Sequence, residues 1–235
     1  MPARFFVDAV SSGQINLAEE EVYHVHVRRL RVGDAVDVLD GCGNIGHGTI
    51  IKLSKHQCMI DVYSCLSLEK PIPNITLLTA VPKGKRWQML IEKATELGAG
   101  KIQPIIYNDS VAKAEGDIGK WIKWTKEACK QCGRAWLPEL FTPISFEEWY
   151  SAAYSGISFA AHPSGEWMTL HPICDEIRSC KEITFIIGPE AGFTNMEEQM
   201  LHEKKCLFVA LSDTILRTET ACWTALAQIK LIYRT

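Results

Sequence analysis

Two closely spaced prolines in the segment Pro71-Ile72-Pro73-Asn74 constrain the fold of this chain more than any other feature of its sequence. Each proline fixes φ and lacks a backbone N–H, so the segment can neither continue a helix nor lie in a central strand. We therefore predict a domain boundary here, with one domain in residues 1–70 and a second in residues 74–235. The length of 235 residues is sufficient for a small domain followed by a medium one.

The residues before the boundary predict a small β-barrel. Residues 35–39 alternate with a period of two and run into the turn signal Asp40-Gly41-Cys42-Gly43-Asn44. Further strands are predicted over residues 4–7, 45–53 and 57–63, with one helix over about residues 18–30. Several short strands in so few residues are typical of a small barrel.

After the boundary, strands and helices alternate. Short apolar strands are predicted over residues 75–81, 101–107, 157–161, 183–187 and 206–211. Helices are predicted over residues 83–97 (ending at Gly98), 117–132 and 218–233, with a further helix beginning at the capping-box sequence Thr194-Asn195-Met196-Glu197. This alternation predicts a parallel sheet in an α/β domain. The last helix is apolar nearly all round, so it should be buried or pack against a second subunit.

Composition excludes several classes of protein. No apolar run reaches the ~18 residues that a membrane span needs, and residues 1–5 lack the features of a signal peptide. No membrane partner is therefore expected, and the nine irregularly spaced cysteines indicate reduced thiols in a cytoplasmic protein. The pair Cys129-Lys130-Gln131-Cys132 has no second pair to complete a zinc site and lies at a helix end. A structural role is favoured for this pair, with Cys132 on the apolar stripe of its helix, and no metal site is predicted.

Basic residues are clustered although the net charge is −3. The negative total argues weakly against a nucleic-acid partner, but the distribution matters more. The clusters are Arg28-Arg29-Leu30-Arg31, Lys83-Gly84-Lys85-Arg86, and a third formed by Lys120, Lys123, Lys126, Lys130 and Arg134. Each cluster by itself fits a solvated face as well as an RNA-binding surface.

Two predicted strands end in loops that suggest a ligand site. The strand over 183–187 runs into Gly188-Pro189-Glu190-Ala191-Gly192, and the strand over 206–211 is followed by a loop through Leu216 and then the last helix. Ligands of α/β folds bind outside the carboxyl ends of the strands. Ordinary strand-to-helix connections remain the alternative interpretation of both loops.

These same loops resemble a known family. Gly188-Pro189-Glu190-x-Gly192-Phe193, followed by Ile215-Leu216-Arg217-Thr218-Glu219-Thr220-Ala221, resembles the signature of the SPOUT methyltransferases. More narrowly, it resembles the RsmE-type enzymes, which methylate N3 of a uridine in small-subunit (16S) ribosomal RNA. Agreement elsewhere covers Arg4-Phe5, the stretch from His26 to Asp34, Asp40-Gly41, residues 93–98, and the pattern from Glu127 to Pro138. The match thus extends over nearly the whole chain in the right order.

The resemblance implies a PUA-like barrel followed by a SPOUT α/β domain with a trefoil knot. It also implies S-adenosylmethionine as the methyl donor, ribosomal RNA of the small subunit as the substrate, and a homodimer. Arg217 is expected to stabilise charge on the uracil oxygens, and Glu219 or Glu190 to act as a base or to orient Arg217. The expected cofactor contacts are His162, Gly188, Pro189, Glu190, Gly192, Leu211, Ser212, Ile215, Leu216 and Thr220. The expected RNA contacts are Arg4, Arg28, Arg29, Arg31, Lys83, Lys85 and Arg86.

The sequence departs from the family pattern at three positions. Ala191 and Ser212 replace glycines, and Thr214 replaces an arginine. A glycine lets the backbone approach a ligand closely, so these changes bear on cofactor binding. They leave open a second hypothesis, a ribosome-assembly factor that binds RNA on the same fold with weak or no catalysis. A methyltransferase with a different target nucleotide is a third.

Overall fold

A computed structural model describes residues 2–108, 117–152, 156–167 and 174–234. Its contacts divide the chain into two compact units. The first comprises Met1–Lys70 and Lys126–Leu137, and the second Pro71–Thr125 and Pro138–Thr235. The division thus differs from a single boundary at residues 71–74, because residues 126–137 join the first unit.

The first unit is built on a five-stranded sheet. Its elements are β1 (Ala3–Phe6), β2 (Gly13–Asn16), α1 (Glu19–Val27), β3 (Ala35–Leu39), β4 (Asn44–Leu53) and β5 (Cys58–Ser67). The strand order is β1-β3-β4-β5-β2, with β1 parallel to β3 and the other pairs antiparallel. The hairpin predicted between β3 and β4 is confirmed, since Leu39 pairs with Ile45 across the turn. Strand β2 was not predicted.

Residues 126–137 are bound to the sheet of the first unit by polar contacts. The indole Nε1 of Trp136 donates to the carbonyls of Leu68 and Glu69 at 3.1 Å, and the backbone N–H of Leu137 donates to the carbonyl of Gly41 at 2.9 Å. A Cβ at Gly43 would lie 2.5 Å from the Trp136 ring, so only glycine fits beneath this indole. The turn at residues 40–44 therefore packs against distant sequence.

One member of the predicted third basic cluster has a structural role in the same unit. The Lys130 side chain is buried, and its Nζ lies 2.9 and 3.1 Å from the two carboxylate oxygens of Glu21. It also lies 2.6 Å from a Glu127 oxygen. A buried ammonium is tolerated only when paired in this way, so Lys130 is not available to RNA.

The second unit contains a parallel seven-stranded sheet. Its elements are β6 (Asn74–Ala80), α2 (Lys85–Glu96), β7 (Lys101–Ile106), α3 (Ile118–Cys132, whose last residues belong to the first unit), β8 (Glu139–Leu140), β9 (Ile144–Ser145), α4 (Phe146–Ser151), β10 (Ile157–Trp167), α5 (Cys174–Ser179), β11 (Glu182–Ile187), α6 (Asn195–Glu203), β12 (Leu207–Ala210) and α7 (Thr218–Arg234). The order is β12-β10-β11-β6-β7-β8, and β9 also pairs with β7. The predicted parallel sheet is confirmed, but β8, β9, α4 and α5 were not predicted.

Helices cover both faces of this sheet. Alternate strand residues enter different cores, because side chains of a strand point to opposite faces in turn. Leu77 and Phe185 pack with α2 and α7 on one face, whereas Leu78 and Ile186 pack with Phe146 and its neighbours on the other. Strands buried on both faces explain the nearly continuous apolar runs of β6 and β11.

Several predicted helix boundaries are confirmed in detail. Gly98 follows α2 with a φ of 89°, the left-handed conformation of a helix stop. The capping box at Thr194 is present, because its hydroxyl accepts from the Glu197 N–H and the Glu197 carboxylate accepts from the Thr194 N–H. Glu197 also accepts from the Asn108 N–H at 3.1 Å, so its burial is satisfied.

The end of α3 differs from the prediction. Cys129 is fully buried and packs with Phe6 and Leu39, whereas Cys132 is exposed. Cys132 is the last residue of the helix and does not belong to the buried stripe, contrary to the prediction. Burial raises the pKa of the Cys129 thiol to about 12, which is the opposite of what a redox pair needs. Within the described residues, no group of His, Cys, Asp and Glu side chains could hold a metal ion, and no helix is long and apolar enough to cross a membrane.

Candidate functional site

Two loops and one strand segment meet at one edge of the sheet. Strands β12, β10 and β11 are neighbours and run parallel, so the loops after β11 and β12 lie at the same edge, beside residues 161–164 of β10. These segments enclose a cavity of about 360 Å³, within the range of small-molecule sites. The cavity is lined by Ala161, His162, Pro163, Ser164, Ile187, Gly188, Pro189, Glu190, Ala191, Gly192, Phe193, Leu211, Ser212, Thr214, Ile215, Leu216, Thr218 and Ala221.

The structure brings together nearly all of the residues expected to contact a cofactor. His162, the loop after β11 and the loop after β12 all line the cavity, but Thr220 does not. Thr220 lies half-buried on the accessible side of α7. Ser164, Phe193 and Thr218 line the cavity without having been predicted. Phe193 is the last residue of the signature segment Gly188-Pro189-Glu190-x-Gly192-Phe193, so its sequence position already offered a signal.

The loop after β11 depends on its glycines. A Cβ at Gly188 would lie 3.1 Å from the Phe193 ring, which is closer than side chains normally pack. Gly192 has a φ of 83°, a conformation that favours glycine. Ala191 and Ser212 lie outside the left-handed region. Neither position therefore requires the glycine of the family pattern for its backbone conformation.

Hydrogen bonds to side-chain hydroxyl groups stabilise the loop after β12. The Ser212 Oγ accepts from the Thr214 N–H at 3.2 Å and lies 3.1 Å from the Thr214 Oγ1. The carbonyl of Leu211 accepts from the Gln228 amide at 3.0 Å, which fixes the start of the loop to α7. The two substitutions, Ser212 and Thr214, thus bind each other.

The two predicted catalytic residues occupy different environments. Arg217 is exposed, and in the part of the chain that the structure describes it forms no ion pair. Glu219 is buried, does not line the cavity, and has a carboxylate oxygen without a hydrogen-bond partner. Glu190 lies 3.9 Å from Arg86 rather than beside Arg217. An ion pair of Arg217 with Glu190 or Glu219, the alternative to a catalytic role for these residues, is therefore absent from the described contacts.

A thiol beneath the cavity can be excluded as a reactive group. Cys222 is fully buried on α7, and its Sγ donates to the hydroxyl of Thr79 at 3.3 Å. Burial raises the pKa of this thiol to about 12, so the sulfur stays protonated at neutral pH and is a poor nucleophile.

The predicted RNA contacts are placed in both units. Arg28, Arg29 and Arg31 are exposed at the end of α1 in the first unit. In the second unit, Lys83 and Lys85 are exposed at the start of α2, and Arg86 is partly exposed beside Glu190.

Arg4 is already used within the first unit. Its Nη1 donates to the carbonyls of Lys130 and Gln131 at 2.9 and 3.3 Å, and its Nε lies 3.7 Å from Asp37. Its guanidinium therefore holds residues 126–137 to the sheet, a structural role that the sequence did not indicate.

Comparison with known proteins identifies the family. The RNA methyltransferase domain matches residues 68–230, and the RNA methyltransferase PUA domain matches residues 17–63. The chain belongs to the RNA methyltransferase family. Its first unit accordingly contains a PUA-like domain, and the cavity lies in the methyltransferase domain.

Relatives within this family agree with the RsmE-type resemblance. Ribosomal RNA small subunit methyltransferase E of Bacillus subtilis is 29% identical over 231 residues, covering 91% of this chain and 88% of the relative. The Synechocystis protein of the same name is 27% identical over 226 residues, covering 94% of this chain and 74% of the relative.

Solved structures of similar proteins share the fold. The Neisseria gonorrhoeae ribosomal RNA small subunit methyltransferase E bound to S-adenosyl methionine matches with a TM-score of 0.90 and 27% identity, covering 99% of this chain and 98% of that one. A putative methyltransferase from Legionella pneumophila, in complex with the same cofactor, matches with a TM-score of 0.84 and 27% identity, covering 98% of both chains.

Proposed function

We propose that this chain transfers a methyl group from S-adenosylmethionine to N3 of a uridine in small-subunit ribosomal RNA. The observation that carries the proposal is the cavity, because the first signature segment and most of the second surround it at the carboxyl ends of β11 and β12. Similar proteins of the same fold were crystallised with this cofactor. In its bacterial relatives the substrate is ribosomal RNA by name, and we place the reaction in the cytoplasm.

The cavity suits the proposed cofactor. Leu211, Ile215 and Leu216 offer apolar surfaces for a flat base, and Gly188, which has no side chain, lines the cavity with its backbone. S-adenosylmethionine supplies an electrophilic methyl group carried on a sulfonium. The protein's task is then to position the uridine and to manage the charge and proton on its uracil ring.

Arg217 remains our candidate for stabilising the negative charge that develops on the uracil ring. The residue begins the turn into α7 between the cavity-lining Leu216 and Thr218, and its exposed guanidinium has no ion pair among the described contacts. A free cation at this position can stabilise negative charge on the uracil oxygens. Glu219 is not retained in a catalytic role, since its carboxylate is buried away from the cavity.

RNA contacts are proposed on each unit from exposed cations. In the PUA-like domain, the proposed phosphate contacts are Arg28, Arg29 and Arg31. In the methyltransferase domain, they are Lys83 and Lys85. The cap of α2 is Gly84, which has no side chain to satisfy the first N–H groups of the helix. Such an end favours phosphate, as do the neighbouring lysines.

We also propose the trefoil knot of the SPOUT fold. Strand β12 lies at the edge of the sheet beside β10, yet α7, which follows it, packs against β6, β11, α2 and α5. The connecting residues 211–217 share the cavity with the loop after β11. The connection from β12 to α7 therefore passes close to the loop after β11. An experimental trace of residues 211–217 would test whether this connection passes through that loop to form a knot.

A homodimer is proposed through α7. One side of this helix stays accessible in the single chain and carries Thr220, Trp223, Thr224, Ala227 and Leu231. The Trp223 Nε1 is buried without a hydrogen-bond partner. We expect the wild-type protein to sediment as a dimer and Ala227→Glu to sediment as a monomer, because the variant places a charge in the interface. Met196→Glu, at an exposed apolar residue of α6, is the control, and a monomeric wild type would contradict the proposal.

A methyl-transfer assay tests the proposed function. Purified protein is incubated with labelled S-adenosylmethionine and small ribosomal subunits from a strain that lacks the gene, and the digested RNA is analysed by mass spectrometry. We expect label in N3-methyluridine and in no isomeric methyluridine. Label in another nucleoside would refute the N3 specificity. RNA binding without label would favour the assembly-factor hypothesis instead.

A further inference from the structure

A bulge in β10 projects into the cavity. Ala161 and Glu166 both pair with Val209 of β12, so residues 162–165 leave the ladder. A Cβ at Gly165 would lie 2.6 Å from the backbone of Phe208 and Val209, so this close approach requires glycine. Bulges often redirect side chains near functional sites. Here the bulge presents His162 and Ser164 to the cavity.

The contacts of His162 define which ring nitrogen carries the proton. The Ser164 backbone N–H lies 3.2 Å from Nδ1 and can only donate, so Nδ1 is an acceptor. Nε2 then carries the hydrogen and donates to the Glu198 carboxylate at 3.1 Å. The Ser164 Oγ lies 2.7 Å from Nδ1 and donates its single proton there. The Ser164 oxygen can therefore accept a hydrogen bond from a donor in the cavity.

Few other groups in the cavity could accept a proton. Of the residues that line it, His162 and Glu190 have ionisable side chains. Glu190 lies 3.9 Å from Arg86, so its carboxylate already faces a cation outside the bulge. Glu219 and Cys222 are buried, and neither residue lines the cavity. The far nitrogen of His162 contacts the Glu198 carboxylate at 3.1 Å, the same order of hydroxyl, imidazole and carboxylate that proton-transfer sites use.

We propose that Ser164 and His162 form a proton relay for the N3–H group of the substrate uridine, and that Glu198 is its positioning residue. The relay rests on the proposed N3 methylation. First, the N3 proton passes to the Ser164 Oγ as the Ser164 proton passes to the His162 Nδ1, and the electron pair of the N–H bond stays on N3. That pair then forms the N3–methyl bond as the methyl–sulfur bond breaks. The imidazolium so formed faces the Glu198 carboxylate and later returns its proton to water.

Conservative variants test the relay against a matched control. Asparagine at 162 keeps an acceptor near the position of Nδ1, so His162→Asn should preserve the bulge while removing the proton acceptor. We expect His162→Asn and Ser164→Ala to lower the single-turnover rate about 100-fold at saturating cofactor. Both residues line the cavity, so cofactor affinity is measured separately by calorimetry and the cofactor is kept well above the dissociation constant of each variant. Glu198→Gln should cause a smaller loss. His202→Asn should be normal, because His202 lies on the same helix as Glu198 and also contacts Phe208, but does not line the cavity.

A substrate with a more acidic N3–H distinguishes proton transfer from a structural role. Fluorine at C5 withdraws electrons, so 5-fluorouridine at the target position needs less help in losing its proton. The deficit of His162→Asn should shrink on this RNA. An unchanged deficit, or a normal rate for His162→Asn on uridine, would overturn the relay. If instead the wild-type protein forms no N3-methyluridine, the proposed function itself fails.

The resting tautomer supplies a readout without turnover. In the unliganded protein labelled with ¹⁵N-histidine, nitrogen-detected correlations should show His162 with its hydrogen on Nε2. The signal is assigned by its loss in His162→Asn. A hydrogen on Nδ1 would contradict the relay, since Nδ1 could then accept nothing from Ser164.

Discussion

Replacing Arg217 with alanine should lower the single-turnover rate of methyl transfer by about 100- to 1,000-fold, the usual cost of losing one donor that stabilises charge in the transition state. Arg217 is exposed and has no ion pair in the described part of the chain, so its removal leaves no buried group unsatisfied. It also lies outside the cavity lining. Cofactor affinity, measured by calorimetry, should therefore stay the same.

Arg217→Lys is the matched control for the charge. Lysine keeps the positive charge but loses the planar fork of donors, so we expect a partial rate. A rate within a few-fold of wild type for Arg217→Ala would remove the residue from the mechanism. A parallel loss of cofactor affinity would instead identify it as a cofactor contact.

Replacing Lys130 with methionine should destabilise the first unit by about 3–5 kcal/mol. The Lys130 ammonium is paired with both oxygens of Glu21, which is itself buried. Without the lysine, the Glu21 carboxylate stays buried with no cation opposite. Glu127 is half-exposed and can turn to water, so it contributes less to the cost.

A double variant separates the ion pair from packing. In Lys130→Met with Glu21→Leu no uncompensated charge remains, so most of the stability should return. Hydrogen exchange with mass spectrometry, followed on peptides from β3 to β5, measures the first unit within the full chain. Peptides from β6 and β11 should be unaffected. A loss under about 1 kcal/mol in the single variant would show that the pair contributes little.

Local chemistry explains why much of the fold was predictable. The turn at Asp40-Gly41-Cys42-Gly43-Asn44, the stop at Gly98 and the capping box at Thr194 each act within a few residues of their own element. Apolar runs predicted β6 and β11 because those strands are buried on both faces. The very short β8 and β9, of two residues each, carry no periodicity and could not be found this way.

The sequence by itself determined the alternation of strands and helices, the signature loops and most of the residues that surround the cavity. Only the tertiary structure decided that residues 126–137 join the first unit, that Lys130 is buried against a glutamate 109 positions away, and that a bulge places Ser164 beside His162 and Glu198. The physical reason is the sequence separation over which each kind of interaction acts. Turns, caps and strand periodicity act between neighbours along the chain, whereas ion pairs and cavity walls join residues that only folding brings together.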